Sequence, residues 1–175
     1  MVDKQIIAAI FVVILSISQA SITSARTANF QYYTVEVPDD WKDLGPSAGP
    51  MRALDGTLQI LPQGISILTG AKPNADGSPD MDGIIKLVEQ LKKSHADPTK
   101  LPFPMVRDFA TEDLGEYRSM MRGVHRMNPS TIIVVYYVIG PTYVVPFTVA
   151  SKHSIDDTIA KLDPIFASLK WKGKP

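Results

Sequence analysis

Hydrophobic and polar side chains alternate along much of this chain, which is the pattern of β-strands that bury one face. The first such segment is Phe30–Pro38, with Trp41 just beyond its end, where a large ring suits the edge of a core. Residues 130–139 are apolar at nearly every position, which indicates a central strand covered on both faces. A turn at Gly140 leads into a strand over residues 143–150, so these two segments are predicted to form a long hairpin.

Further strands are predicted between the turn signals of the chain. Asp55-Gly56 is a two-residue hairpin sequence that joins residues 51–54 to residues 57–61. Pro146 cannot donate a ladder hydrogen bond, so it belongs at a bulge or on a side of its strand that faces no neighbour. The remaining predicted strands are residues 64–69, 105–110 and 116–126.

Two segments have the periodicity of amphipathic helices. The first covers residues 80–94, with Ser78 as the predicted N-cap and Pro79 at the first helical position. The apolar stripe of this helix consists of Met81, Ile84, Ile85, Val88 and Leu91.

The second predicted helix covers residues 154–169 and is the last predicted element. Ser154 and Asp157 resemble a capping box at its start. Pro164 lies inside the pattern and is predicted to kink this helix or to break it near Leu162, because proline removes a helical hydrogen bond.

The first 25 residues are typical of an export signal. A positively charged start precedes the twelve-residue apolar run Ile6–Ile17, which is shorter than the roughly 20 residues that a membrane-spanning helix needs. Small residues then suit cleavage after Ala20 or after Ala25. We therefore expect an exported protein, periplasmic or secreted, in which residues 1–25 are a signal peptide and residues 26–175 form one domain without a stable membrane anchor.

Composition narrows the classes of function. The chain has no cysteine, which excludes a disulfide scaffold, a thiol nucleophile, a Cys-ligated zinc site and a lipid-modified N-terminal cysteine. The 18 basic and 18 acidic residues balance, so no net charge attracts the chain to nucleic acid or to anionic lipid. The part that follows the signal has the length of a single domain with a sizeable core.

The predicted elements combine into an α+β fold. Because residues 130–139 are apolar on both faces, the simplest arrangement is an antiparallel sheet covered by helices on both faces, an α/β/α sandwich.

The order of these elements resembles the PsbP-like fold, and within it the bacterial DcrB-like envelope proteins. The resemblance covers nearly all of the chain that follows the signal. The matching features, in chain order, are Val37-Pro38 with Trp41, the mid-chain helix, the hairpin through Gly140, the step Asp163-Pro164-Ile165-Phe166 and the closing Trp171.

What this resemblance implies is broad. Proteins of the fold include photosystem-associated lumenal proteins, a Ran-binding nuclear import factor and chaperones that hold transmembrane segments of secretion effectors, and most act by binding other proteins. The shared motifs are structural, so they support a fold and carry no chemistry. DcrB-like proteins can be lipoproteins, whereas this chain lacks the cysteine that a lipid tether requires.

One segment resembles a calcium-binding loop. Residues 78–89 match the pattern D-x-[DN]-x-[DN]-G-x5-E at every position except the first, which is Ser78. No helix is predicted before this segment, and acidic residues are expected in a first helical turn. We therefore interpret Asp80 and Asp82 as helix-start residues, with calcium binding as the alternative.

The other chemical patterns are weak. His95, His125 and His153 show no metal-ligand spacing, so no metal site and no cofactor are predicted. Ser66 follows a sequence that begins like a nucleophile elbow but lacks the closing glycine and belongs to a predicted strand. No nucleophile–base pair is evident, and the chain is predicted not to be an enzyme.

The most suggestive surface feature is a row of three arginines on one predicted strand. Arg118, Arg122 and Arg126 are four residues apart and share a face, with neighbouring guanidinium groups about 13 Å apart at roughly 3.3 Å per residue. Such a row suits a partner with spaced carboxylates. The alternative is a solvated or salt-bridged sheet face, which is what most exposed charges form.

We accordingly predict an exported, non-catalytic protein-binding module, such as an envelope chaperone, an assembly factor or an immunity-type protein. Its partner is another protein, and no nucleic acid ligand is expected. The alternative is a small-ligand or metal-binding accessory protein of the periplasm, which would use a cleft between sheet and helix.

Overall fold

The structure, a computed structural model, describes residues 25–43, 52–53, 57–62, 66–67, 80–97 and 102–172. The predicted signal before Ala25, the Asp55-Gly56 turn and Ser78 lie outside these residues. The described elements are β1 (Ala25–Asn29), β2 (Tyr33–Pro38), β3 (Lys42–Asp43), β4 (Arg52–Ala53), β5 (Leu58–Pro62), β6 (Ser66–Ile67), α1 (Met81–Ala96), β7 (Met105–Gly115), β8 (Arg118–Asn128), β9 (Thr131–Ile139), β10 (Tyr143–Ser151), α2 (Ile155–Ala167) and β11 (Lys170–Trp171).

The strands form two antiparallel sheets in an α+β fold, where the sequence predicted one sheet. The large sheet has eight strands in the order β3-β4-β5-β10-β9-β8-β7, with β6 paired to β10. The small sheet has the order β1-β2-β11. Sequence alternation did not reveal this division, because alternation reports which face of a strand is buried and not which strand it pairs with.

A large buried cluster joins α2 and the small sheet to one face of the large sheet. Tyr33, Val35 and Val37 of β2 enter this cluster together, in agreement with the alternation of the first predicted strand. Trp41 packs into the same cluster, where it is 5% exposed, and Phe166 joins it from α2. Strand β2 with Trp41 and helix α2, which are far apart in the sequence, therefore belong to the same buried core.

A second buried cluster lies on the opposite face of the large sheet. The odd-numbered residues Val135, Tyr137 and Ile139 of β9 pack there against Ile84 and Val88 of α1. The even-numbered residues of β9 belong to the first cluster. The apolar character of β9 on both faces thus corresponds to two separate clusters.

The two helix starts differ in how well the sequence predicted them. Asp80 is the N-cap of α1 in place of the predicted Ser78, and its Oδ1 accepts a hydrogen bond from the Gly83 amide at 3.0 Å. Ser154 caps α2 as predicted. Its hydroxyl accepts from the Asp157 amide at 3.1 Å and donates to the Asp157 carboxylate at 2.6 Å.

Pro164 does not break α2, and the predicted break near Leu162 is wrong. The helix continues to Ala167, and the Ser168 amide closes its last turn by donating to the Pro164 carbonyl at 3.2 Å. Pro164 points to solvent, whereas Phe166 and its neighbours are buried in the first cluster. Burial of these side chains offsets the hydrogen bond that the proline ring removes near the helix end.

Pro146 occupies the kind of position that was predicted for it. On one edge of β10 it lies opposite Tyr137 of β9. On the other edge, β6 pairs with β10 as far as Val144 and β5 pairs with it from Phe147 onward. Among the described pairings on this edge, Pro146 falls between β6 and β5 and is opposite neither of them.

Gly123 allows an aromatic ring to lie directly on β8. A Cβ atom at this position would come 2.8 Å from the ring of Phe109, which packs against the second cluster. Any larger residue at position 123 must therefore push Phe109 away from the face that α1 covers.

We expect Gly123→Ala to lower the free energy of unfolding by about 1–3 kcal/mol, because the added methyl group overpacks this site. Urea unfolding followed by circular dichroism measures the change. The smaller side chain in Phe109→Leu should make the double variant less destabilised than the sum of the two single changes. Strict additivity of the two changes would contradict this packing.

Candidate functional site

An open groove lies between α1 and the end of the β7–β8 hairpin. Its volume is about 450 Å³, which falls in the range of roughly 300–1,000 Å³ that ligand clefts occupy. We call it the α1–hairpin groove. Its main lining residues are Met81, Ile84, Ile85 and Val88 from α1 and Asp113, Glu116 and Tyr117 from the hairpin.

Part of the apolar stripe of α1 borders this groove instead of the core. Ile84 is 4% exposed, whereas Met81 is 40% and Ile85 is 57% exposed. A stripe of this kind normally faces the interior along its whole width. Here only the side with Ile84 and Val88 reaches the second cluster. Apolar surface is therefore left at the groove.

The hairpin that forms the other wall ends in a turn with a strained backbone. Gly115, Glu116 and Tyr117 have φ angles of 74°, 52° and 60°, in the left-handed region that suits glycine and asparagine. Two-residue turns of this kind normally carry Asn-Gly or Asp-Gly, so Glu116 and Tyr117 cost about 1–3 kcal/mol each. Tyr117 is 56% exposed and lines the groove. Such strain is found preferentially at binding sites.

The rim of the groove is mainly acidic. Three exposed carboxylates line it, those of Glu89, Asp113 and Glu116. Glu89 is paired with Lys92 at 3.4 Å, so part of its charge is offset. Arg118 is the one cation among the described lining residues, and its guanidinium group is directed to the end of α2.

A second groove of about 410 Å³ lies on the other side of the same turn. It shares Glu116 and Arg118 with the α1–hairpin groove and is also lined by Tyr143, Lys170 and Trp171. The rings of Tyr143 and Trp171 are stacked, with centroids 4.5 Å apart. The strained turn therefore stands between two concave surfaces.

The predicted arginine row lies on the face of β8 that carries α2, and its central member belongs to a partly buried network. Arg122 is 2.9 Å from Glu112 on β7 and 3.2 Å from Asp163 on α2. The hydroxyl of Tyr136 donates to Asp163 at 2.9 Å. Burial, followed by the charge of Asp163, raises the pKa of Tyr136, so the phenol remains a donor. Burial also raises the pKa of the Asp163 carboxyl.

The two outer arginines of the row differ in how firmly they are held. Arg118 donates to the Leu169 carbonyl at 2.6 Å, just beyond the end of α2. Arg126 makes a longer contact, 3.5 Å, to the Pro129 carbonyl. Arg118 and Arg122 thus hold α2 on the sheet, and the use of the row as a partner surface stays a prediction.

Two histidines that are distant in sequence meet between the end of α1 and the large sheet. The ring centroids of His95 and His125 are 5.9 Å apart. His95 Nε2 is hydrogen-bonded to the Tyr137 hydroxyl, and His125 Nδ1 is 3.1 Å from the Phe103 carbonyl oxygen. The other nitrogen of each ring is buried without a hydrogen-bond partner among the described residues. Sequence spacing missed this pair, because only the packing of α1 on the sheet brings the two rings together.

Two influences lower the pKa of the His95 imidazole. Burial is the larger one, and the charge of His125 adds to it. Burial also raises the pKa of Tyr137 to about 12. His95 is therefore held as a neutral ring that is hydrogen-bonded to a neutral phenol.

The described residues contain no group of three or more His, Asp or Glu side chains that could hold a metal ion. In the segment that resembles a calcium loop, Asp80 caps α1 and residues 81–89 are helical. This agrees with the interpretation of Asp80 and Asp82 as helix-start residues.

One hydroxyl–imidazole contact was not anticipated from the sequence. Thr57 Oγ1 is 2.6 Å from His153 Nε2, and the Lys152 amide donates to the Thr57 carbonyl at 2.9 Å. These bonds join the end of β10 to the start of β5, and neither Thr57 nor His153 lines either groove. Ser66 lies in β6, opposite Val144. We assign these contacts to the fold.

Comparison with known proteins identifies the fold. No protein-family model matches the chain, and no curated protein sequence matches it. Among solved structures, the solution structure of cyanobacterial PsbP (CyanoP) from Synechocystis sp. PCC 6803 is similar, with a TM-score of 0.53 and 13% sequence identity over 90% of this chain and 98% of that chain. The chain has a PsbP-like fold.

At this level of identity the similarity concerns the PsbP-like fold alone, so both grooves are interpreted from the residues of this chain. Within the described residues, neither α1 nor α2 has the length and apolar composition needed to cross a membrane.

Replacing the strained turn should stabilise this PsbP-like fold. We expect E116N/Y117G to raise the free energy of unfolding by about 1–2 kcal/mol, because asparagine and glycine adopt the left-handed region at little cost. The midpoint of thermal unfolding should rise by roughly 2–8 °C, measured by differential scanning calorimetry.

The β8–β9 turn provides the matched control. Residues 129–130 also connect two antiparallel strands, but neither is among the described residues with positive φ. P129N/S130G should therefore give no comparable gain. Equal stabilisation by both replacements would show that the Glu116-Tyr117 turn is not specially strained.

Proposed function

We propose that this protein is an exported, non-catalytic accessory protein that binds another protein through the α1–hairpin groove. The observation that carries this proposal is the exposed apolar surface of Met81, Ile85 and Tyr117 around an open groove. Concave apolar surface of this kind, with a polar rim, is typical of binding sites. The strained turn that presents Tyr117 gives independent support.

The absence of catalysis in this proposal rests on the chemistry of the described residues around the groove. No histidine is among its lining residues, and the Thr57–His153 contact lies elsewhere in the fold. Asp163, whose pKa burial raises, is engaged by Arg122 and Tyr136. The surface is thus better suited to holding a partner than to transferring a proton or a group.

The finer assignment is to the DcrB-like envelope proteins, as an envelope chaperone, an assembly factor or an immunity-type protein. It is supported by the sequence resemblance from Phe30 to Trp171 and by the predicted signal peptide. The fold is compatible with both predicted cleavage sites. Cleavage after Ala20 keeps β1 whole, and cleavage after Ala25 removes only its first residue.

A small apolar ligand is the second candidate, because the groove volume of about 450 Å³ suits a single drug-sized molecule. A ligand of this kind would raise the unfolding temperature of the purified domain, and the rise would grow with the logarithm of the ligand concentration above its Kd. A protein partner would instead be captured by contacts that extend beyond the groove.

Site-specific cross-linking tests the protein-binding function. A benzophenone amino acid at position 85 should form a covalent adduct with a partner in living cells, because Ile85 borders the groove. The same group at position 127 is the matched control, since Met127 is 48% exposed and lies on β8 about 30 Å from Arg118 at roughly 3.3 Å per residue. The partner identified from position 85 should no longer bind the purified Ile85→Glu variant. Equal adducts at both positions, or none at position 85, would count against the groove.

Among the three arginines of the row, Arg126 gives the clearest test of partner binding, because its replacement should disturb the fold least. Charge reversal at Arg122 would break its contacts with Glu112 and Asp163, so lost binding would be confounded with lost stability. Within the described part of the chain, Arg126→Glu removes one long side-chain contact, so it should leave the free energy of unfolding within about 0.5 kcal/mol of the wild type. If the row binds carboxylates of the partner, this variant should weaken capture at least tenfold in a pull-down titration. Unchanged capture would restrict binding to the groove.

A further inference from the structure

We infer that His95 and His125 form a pH-sensitive latch that holds the C-terminal end of α1 on the large sheet, and that acidification loosens α1 and thereby alters the α1–hairpin groove. The release of α1 is a property of the fold alone. Its effect on a bound partner rests on the proposed function.

The hydrogen bonds of the two rings leave one nitrogen of each ring unused among the described residues. Each ring uses one nitrogen, His95 toward the Tyr137 hydroxyl and His125 toward the Phe103 carbonyl. The second nitrogen of each ring is buried without a partner among the described residues. In a protonated His95 ring both nitrogens carry N–H groups, and the described residues offer no acceptor to the second one. Protonation of His95 therefore costs more here than in water.

The groups that face His95 from the sheet do not compensate for a positive charge. His125 on β8 would add a second positive charge if it were also protonated, with the ring centroids 5.9 Å apart. Tyr137 on β9 stays neutral, because burial raises its pKa to about 12. Phe109 on β7 contributes only a ring, with its centroid 5.2 Å from that of His95. On α1 itself, Lys92 lies one turn before His95, and Asp97 is the C-cap residue.

The direction of the pH effect follows from the lowered pKa of His95. A detached α1 exposes a histidine with an ordinary pKa of about 6.5. Burial, with a smaller contribution from His125, holds the pKa below that value in the docked state. The detached state therefore binds more protons below about pH 6.5. Docking of α1 is fully favourable above this pH and weakens as the pH falls through the lowered pKa.

The release is confined to α1, because the two helices are attached differently. In α1, only Ile84 and Val88 are fully part of the second cluster. In α2, Leu162, Ile165 and Phe166 are buried in the first cluster, and Asp163 is bound in addition by Arg122 and Tyr136. Met81 and Ile85 move with α1, so loosening of this helix changes the wall of the groove.

Hydrogen exchange measured by mass spectrometry on the purified protein tests the latch without any ligand. After correction for intrinsic rates, exchange in residues 81–96 should be roughly tenfold faster at pH 5.0 than at pH 7.5, whereas residues 155–167 should not change. In H95Q/H125Q, glutamine keeps a hydrogen-bonding group at each position but does not titrate. This variant should show the same exchange in α1 at both pH values.

A second measurement covers the case in which the double variant does not dock α1 at any pH. NMR titration of the His95 ring in the wild type should give a pKa below 6.5, with α1 resonances shifting at the same midpoint. The latch is overturned if corrected exchange in α1 is equal at both pH values, or if a pH effect persists in H95Q/H125Q. It is also overturned if Zn²⁺ at pH 7.5 raises the unfolding temperature only when both histidines are present, since the pair would then be a metal site.

Cross-linking from position 85 at the two pH values separates this inference from the proposed function. A partner adduct that is lost at pH 5.0 in the wild type and retained in H95Q/H125Q supports both. An adduct of equal yield at both pH values overturns the effect of the latch on the groove. Absence of any adduct, together with pH-dependent exchange of α1, overturns only the proposed function.

Discussion

Strand β9 has no side that faces solvent, and each of its faces must therefore be covered by another element. Its residues from Val134 to Ile139 are all buried. The even-numbered residues share a buried cluster with α2 and the small sheet, and the odd-numbered residues share a smaller one with Ile84 and Val88 of α1. Exposure of either face to water would cost about 25 cal/mol per Å² of apolar surface. The rest of the structure therefore depends on the burial of both faces.

The elements on the two faces of the large sheet are held to it by different kinds of contact. The α2 side combines a large apolar cluster with the Glu112–Arg122–Asp163–Tyr136 contacts, so it has both packing and directional bonds. The α1 side has a smaller cluster and the adjacent rings of His95 and His125, and part of its apolar stripe remains outside the cluster. The large sheet therefore has one face whose helix is held by packing and by side-chain bonds, and one face whose helix is held mainly by packing.

Local features of the fold were predictable from the sequence, because they depend on neighbouring residues. The alternation of β2, the Ser154 cap and the position of Pro146 all follow from backbone rules. The small sheet was not predictable, since it pairs segments from opposite ends of the chain. The exposure of Met81 and Ile85 depends on where α1 sits, and the His95–His125 pair depends on the same docking. The turn at Glu116-Tyr117 fell inside a predicted strand, because neither residue is typical of a left-handed turn.

The small sheet has a consequence for the order in which this protein reaches its final form. Strand β2 is bordered on one edge by β1 and on the other by Lys170 and Trp171, which pair with Thr34 and Tyr33. Contacts over such long sequence separations form late, because the intervening loop must first be closed. Until residues 170–171 have left the ribosome, this edge of β2 lacks the strand that pairs with it in the described structure, and the small sheet stays incomplete.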